Sequence, residues 1–449
     1  MLTQSQSDTL LRATRREPRP VAGEQTVHAP RVRGELPAGL DGLLLAAGAG
    51  PGAGPDAGHH LHGGDPLVHG LRLRDGEAQW YRSRWLRTDR ACRRLGELTV
   101  PGPRRALADD AGAALVGHGG RILALGDDGA LPVELGPELN TVARGDFDGT
   151  LPNGFASHPV LDPVTGELHA VAFDHRRPYV EHVAVDRTGR VRRARRITVK
   201  QSPMMHAFSL TERYAVLYDL PVVADGPGPG PRYQWDDRHG ARLGLLPRDG
   251  GDDDILWIEI EPCYVFHPVN AYETGRHLVI DAIRHPAPRP GAHPLDPGQA
   301  APGLWRWTVD RLSGTVLEEQ LDDFVEELPG IDPRRSGLPH RYAFTTAVRP
   351  DGRGAATGTA LLRHDLLTGR TAVHRVGAGR TVGEGVFVPR GPGAPEGDGW
   401  VLGLVHDRER DSGSLVVVDT ADFTGAPVAE VLLPDGLPAA GHTAWVPGG

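Results

Sequence analysis

What most constrains this chain is its punctuation. Short apolar runs recur along it, each too brief for a helix and each followed by a turn signal. Examples are RILALGDDG (121–129), ELHAVAFD (167–174), YAVLYDLPVV (214–223), DILWIEIE (254–261), HLVIDAI (277–283), WVLGLV (400–405) and SLVVVD (414–419). Their β-branched and aliphatic residues fit a pleated, half-buried surface. Asp-Gly pairs at 41–42, 75–76, 128–129, 148–149, 351–352 and 398–399 read as hairpin signals, since both residues tolerate positive φ. No long stretch carries the apolar spacing of an amphipathic helix. The 60 glycines and 40 prolines among 449 residues are scattered between the runs, so they mark turns rather than a disordered tract. Many short strands over this length predict an all-β fold, a β-propeller or another large closed architecture. No blade-length repeat of the WD type is present, so periodicity alone does not select the propeller.

Composition narrows the function classes. A net charge of −9 gives nucleic-acid binding no support, and the short basic run RRARR (192–196) reads as a solvated strand end or loop. Two distant cysteines, Cys92 and Cys263, argue against a disulfide scaffold and fit a reducing compartment. The polar start MLTQSQSDTLLRATRREPRP has no apolar segment of the secretory type. No run approaches the ~20 apolar residues of a membrane-spanning helix. The expectation is a cytoplasmic protein, with peripheral membrane contact left open. Residues 1–35 read as a polar lead-in and 36–449 as a single domain. AAGAGPGAGPDAG (46–58) and ADGPGPGPR (224–232) read as loops or insertions.

Of 21 histidines, four stand out by setting. His158 lies in NGFASHPVLDPVTGELHAVAFD (153–174), His206 in MMHAFSLTERYAVLYDLPV (204–222), His267 in CYVFHPVNAYE (263–273) and His442 in GHTAW (441–445). Each sits beside a strand-like run among small, apolar or proline neighbours. They are far apart in sequence, so no local metal motif exists, and each alone is most simply a structural histidine. Only a fold that brings four distant elements to one axis would make them a set. Neutral imidazole suits iron, zinc and copper, and four of them leave positions open on a six-coordinate ion. In CYVFHPVNAYE, alternation puts Cys263 and Val265 on the face of His267, with Tyr264 and Phe266 opposite. Pro268 is expected to end that strand, and Asn270 and Glu273 have no evident chemistry.

These segments resemble the carotenoid cleavage oxygenase family, which includes apocarotenoid oxygenases, lignostilbene dioxygenases and the retinal pigment epithelium isomerase. The resemblance runs from about residue 35 to the C-terminus. It includes LPAGLDG (36–42), the block 133–168, the four histidine segments, ELPGIDPRRSGLPHRYAF (327–344), GEGVFVPR (383–390) and DGWVL (398–402). It implies a seven-bladed β-propeller with a cap of loops and short helices over an axial metal site. It implies Fe(2+) held by His158, His206, His267 and His442, with Glu327 supporting His267 and Glu384 supporting His442. Asp127 falls where the family has a third glutamate. One methylene shorter, it is expected to reach His206 poorly or through water. The implied activity is cleavage of a C=C bond in a carotenoid or apocarotenoid by O2, giving two carbonyl products, with no side chain acting as acid or base. The alternatives are a stilbenoid substrate, isomerase chemistry at the same iron, or an impaired propeller that binds an apolar ligand.

Departures from the family concentrate in the N-terminal third. AAGAGPGAG (46–54) and LHGGDPL (61–67) replace the family's usual turns, and Ala207 replaces the acidic residue after the second histidine. His60 and His62 would share one face of a strand, compatible with a metal pair, although a solvated loop is simpler. Arg121 stands where lignostilbene cleavers place a phenol-engaging lysine. An arginine is not readily deprotonated, which favours a polyene over a phenolic stilbene.

Overall fold

The computed structural model describes residues 23–49, 65–104, 111–127, 129–226, 233–288, 301–350, 356–435 and 442–448. Every apolar run named above contains a strand. Strands pair mainly with their sequence neighbours. Among the described residues they form seven four- or five-stranded antiparallel sheets and one two-stranded hairpin. The seven larger sheets are the blades of a seven-bladed β-propeller. The first strands of six blades are Ala111–His118 (blade I), Val160–Leu161 (II), Ser209–Leu210 (III), Pro268–Thr274 (IV), Glu326–Ile331 (V) and Arg380–Pro389 (VI). Blade VII is mixed: the strand Thr443–Pro447, near the end of the chain, pairs with Gly42–Ala49 from its beginning. These seven strands face the axis, and most touch their counterparts in adjacent blades.

A second joint reinforces the ring. Val32–Gly34 adds to the strand Ala429–Asp435 of blade VI, while Gln25–His28 adds to the outer edge of blade VII. The stretch read as a polar lead-in therefore carries two strands.

The Asp-Gly expectation holds at Asp75-Gly76, where φ values of 52° and 73° make the turn between Pro66–Arg74 and Glu77–Trp85. It fails at Asp41-Gly42, because Gly42 opens a strand and is needed for close approach: a Cβ there would lie 2.3 Å from the Trp445 ring. Gly399 likewise opens a strand, and Asp148-Gly149 sits in a loop between blades. Positions 128 and 351–352 lie outside the described residues. The glycine-rich 46–58 stretch begins as strand, through Ala49, before leaving the described residues.

Seven residues, Asp89–Leu95, form a helix that the apolar pattern does not reveal. Its signals are its caps: Thr88 accepts the Ala91 N–H, and Gly96 closes the helix at φ 70°. Asp65 of the divergent LHGGDPL segment ties to this helix through Arg90 and Arg94. The basic run lies within the outer strand of blade II, where Arg192, Arg193 and Arg196 pair with Glu167, Asp249 and Glu181. Charges on an outer strand guard a sheet edge against further pairing.

Blade V holds an ionic cluster. His364 Nδ1 lies 2.9 Å from Asp322 and Nε2 lies 2.8 Å from Glu326, with the Thr345 hydroxyl beside Nε2. Burial alone would lower the His364 pKa, but the two carboxylates outweigh it and raise it to about 9. A raised histidine contributes stability that is full below its ordinary value and lost as pH rises through its folded value. The unfolding temperature should therefore fall as pH rises from neutrality through about 9. His364→Gln should be less stable at neutral pH and flatter across that window, because the buried Glu326 and the half-buried Asp322 lose their cation. Calorimetry of both proteins across that range checks this.

Candidate metal centre

The four histidines occupy one kind of position. His158, His206, His267 and His442 each lie just upstream of an axial strand, those of blades II, III, IV and VII. Four strands distant in sequence thus start beside an imidazole at the same end of the axis. One nitrogen from each ring lies within 4.8 Å of the others. Ring centroids are 4.3 Å apart for His158 and His206, 4.4 Å for His158 and His442, and 4.8 Å for His267 and His442.

The segment CYVFHPVNAYE differs from its expected form. Its strand begins at Pro268 rather than ending there. A residue with no N–H to donate suits the first position of a strand. Residues 263–267 are not in a strand. Tyr264 forms an isolated bridge with His285, and the His267 carbonyl accepts from the Ile283 N–H. The Tyr264 hydroxyl donates to the Met204 carbonyl at 2.7 Å, tying this segment to the one that carries His206. Phe266, expected to face away, has its ring 5.5 Å from that of His206.

Two glutamates sit on β-bulges, where an extra residue re-aims a side chain. Glu327 begins the bulge of blade V, and Leu328 after it is held at φ 56°, uncommon for a non-glycine residue. Glu327 Oε2 lies 2.6 Å from His267 Nδ1 and accepts the Leu328 N–H at 2.7 Å. Its other oxygen meets His285 Nε2, a partner that no motif in the sequence points to. Glu384 lies in the bulge of blade VI, its Oε2 3.3 Å from His442 Nδ1 and accepting the Thr443 N–H at 2.7 Å. Burial pushes both carboxyls up, but the neighbouring imidazoles outweigh it and hold both below the usual range. Asp127 Oδ2 stops 3.6 Å from His206 Nδ1, longer than a direct hydrogen bond.

These residues fit a metal ion. Nδ1 of His267 is occupied by Glu327, while its Nε2 is buried without a hydrogen-bond partner among the described residues. A buried nitrogen of that kind, among three other imidazoles, is chemically suited to a divalent transition metal.

Residues 19–447 match the family model described as RPE65, retinal pigment epithelial membrane protein. A carotenoid cleavage oxygenase of Mycobacterium tuberculosis is 38% identical over 482 aligned positions, covering 95% of this chain and 96% of that protein. The chain belongs to the carotenoid cleavage oxygenase family. Within that family, isoeugenol monooxygenase of Pseudomonas putida is 31% identical, with 95% of this chain and 96% of that protein covered. The crystal structure of Pseudomonas brassicacearum lignostilbene dioxygenase superposes with a TM-score of 0.84 at 25% identity, covering 96% and 97% of the two chains. Like these relatives, the chain is an enzyme, an oxygenase of the double-bond-cleaving type.

A cavity of about 230 Å³ opens beside the histidines, with apolar groups such as Leu115, Val116, Pro159, Ala207 and Phe208 on its wall together with the polar Ser157, Glu384 and Thr443. Arg121 does not line it. It begins the strand Arg121–Gly126 and pairs with Asp148 at 2.8 Å, whereas Asp127 follows the strand's other end. At ~3.3 Å per residue that separation is roughly 20 Å. Arg121 therefore does not stand in for a substrate-binding lysine. His60 and His62 lie outside the described residues.

Glu327→Gln keeps the side chain's shape but removes the charge that holds His267. It is expected to weaken metal affinity by about 10–100-fold, the usual effect of losing such a partner. Glu384→Gln, starting from a longer contact, should weaken it less. Chelator competition on the purified variants checks the order.

Proposed function

We propose that this chain is a non-haem Fe(II) dioxygenase that cleaves a C=C bond of a carotenoid or apocarotenoid with O2, giving two carbonyl products. The observation that carries this reading is the convergence of four imidazoles from four blades beside a partly apolar cavity. His158, His206, His267 and His442 would hold the ion through the nitrogens that face one another. When bound, iron supplies the redox chemistry that activates dioxygen.

The protein's own part is orientation and exclusion of water. Glu327 and Glu384 fix His267 and His442 with Nδ1 as the bonded nitrogen, and Asp127 faces Nδ1 of His206. Apolar groups at the cavity would hold a polyene by burial rather than by polar anchors. The described residues lining the cavity include no lysine, arginine or tyrosine to engage a phenol, which favours a polyene over a stilbenoid. We read residues 36–449 as the unit that carries the activity, with the strands Gln25–His28 and Val32–Gly34 of the preceding stretch completing blades VII and VI. Both cysteines are free and buried, in keeping with a reducing, cytoplasmic setting. Among the described residues no helix is long and apolar enough to cross a membrane, so an apolar substrate held in a bilayer would be collected by peripheral contact.

The test is anaerobic purification with Fe(II), followed by turnover of apocarotenals and stilbenes under isotopically labelled dioxygen. One iron per chain and labelled carbonyl products from an apocarotenal are expected. Wild-type protein that binds no iron would overturn the reading. Unlabelled, uncleaved products would point to isomerase chemistry, and preferred cleavage of stilbenes would move the substrate class.

A further inference from the structure

We propose that Ser157 is a positioning residue of the metal centre, holding the shortened acid Asp127 in place for His206. The inference rests on reading the four histidines as metal ligands. Each of the three acids beside the four clustered imidazoles has a second donor that fixes it. Glu327 accepts from the Leu328 N–H, and Glu384 accepts from the Thr443 N–H. For Asp127 that donor is a side chain: the Ser157 hydroxyl donates to Oδ1, leaving Oδ2 toward His206. Ser157 is 1% exposed and immediately precedes His158, so one hydroxyl links the settings of two proposed ligands.

The two loops that carry this pair are built as one body. The Phe155 N–H donates to the Ala130 carbonyl at 3.0 Å. Gly154 approaches Gly129 so closely that a Cβ would fall 2.2 Å from the Gly129 carbonyl oxygen. At 3.6 Å from Nδ1 the carboxylate acts on the ring from beyond hydrogen-bond distance, so its effect depends on how still it is held. A glutamate, one methylene longer, would reach the ring itself and would not need the serine.

That dependence makes the test a double-mutant cycle on the full chain. Apo-protein is titrated with Co(II) against a chelator, and the d–d absorption spectrum of the bound ion is recorded. Ser157→Ala is expected to weaken Co(II) binding by about 10-fold and to alter the spectrum. Ser157→Thr keeps the hydroxyl and should restore both. In an Asp127→Glu background, Ser157→Ala should cost nothing further. An equal loss in both backgrounds, or no loss in either, overturns the proposal. Thermal melts of the apo-proteins separate misfolding from lost affinity. Should Ser157→Ala alone fail to fold, the comparison of Asp127→Glu with Asp127→Glu/Ser157→Ala still decides. Failure of the metal reading looks different: wild type and His158→Ala would then bind Co(II) alike.

Discussion

The pairing of Thr443–Pro447 with Gly42–Ala49 closes the ring on which everything else depends. It joins segments from the two ends of the chain, so it carries one of the largest loop-closure costs in the fold. Trp445, opposite Leu44 across the joint and packed against the apolar cluster that contains Leu44, offsets part of that cost. The same joint delivers His442, whose carbonyl accepts the Ala47 N–H one step before the strand begins. Closure and assembly of the four-histidine cluster are therefore a single event. An ion that binds only the closed cluster stabilises the closed ring by mass action.

Symmetry explains the histidines, and departures from symmetry explain the acids. Four blades present an imidazole at the start of the axial strand. Blades V and VI instead present a glutamate at a bulge, each in a blade adjacent to the histidine it supports. The bulges are held by specific packing. Leu328 sits at positive φ, and Gly358 leaves room for the Val382 carbonyl, which a Cβ would approach to 1.9 Å. Local strain of this kind costs on the order of 1–3 kcal/mol and persists where surrounding structure over-determines it. Its consequence is a carboxylate fixed 2.6 Å from His267 Nδ1.

Much of this is legible in the sequence because strands and axial histidines obey local rules. Apolar runs bounded by turns mark the blades, and each key histidine carries its setting in its neighbours. Contacts made across blades leave no local mark. His285 reaches Glu327 only because the Tyr264–His285 bridge places it there. Ser157 reads as an ordinary loop serine until the segment around Asp127 and Ala130 folds against it. Asp41-Gly42 carries a hairpin signal, yet the glycine answers to Trp445 at the opposite end of the chain. For Arg121, alignment gives the order along a strand but not which end of the blade lies near the histidines, and the arginine occupies the far end.

The residues after His267 show why its motif extends so far. Asn270 Nδ2 donates to the Arg335 and Leu338 carbonyls, and its oxygen accepts the Gly337 N–H. It thus grips the turn that follows the axial strand of blade V, the strand that carries Glu327. Glu273 accepts from the Thr211 hydroxyl and from Arg213, gripping the matching turn of blade III, whose axial strand follows His206. Blade IV is bolted to both neighbours by polar side chains on the strand that begins just after His267. An imidazole must be held within about half an ångström to serve a fixed site, and a short strand cannot impose that alone. Asn270 and Glu273 make these bonds to neighbouring turns rather than to the four histidines. They fix the relative height of three axial strands, and through those strands the places of His206, His267 and Glu327.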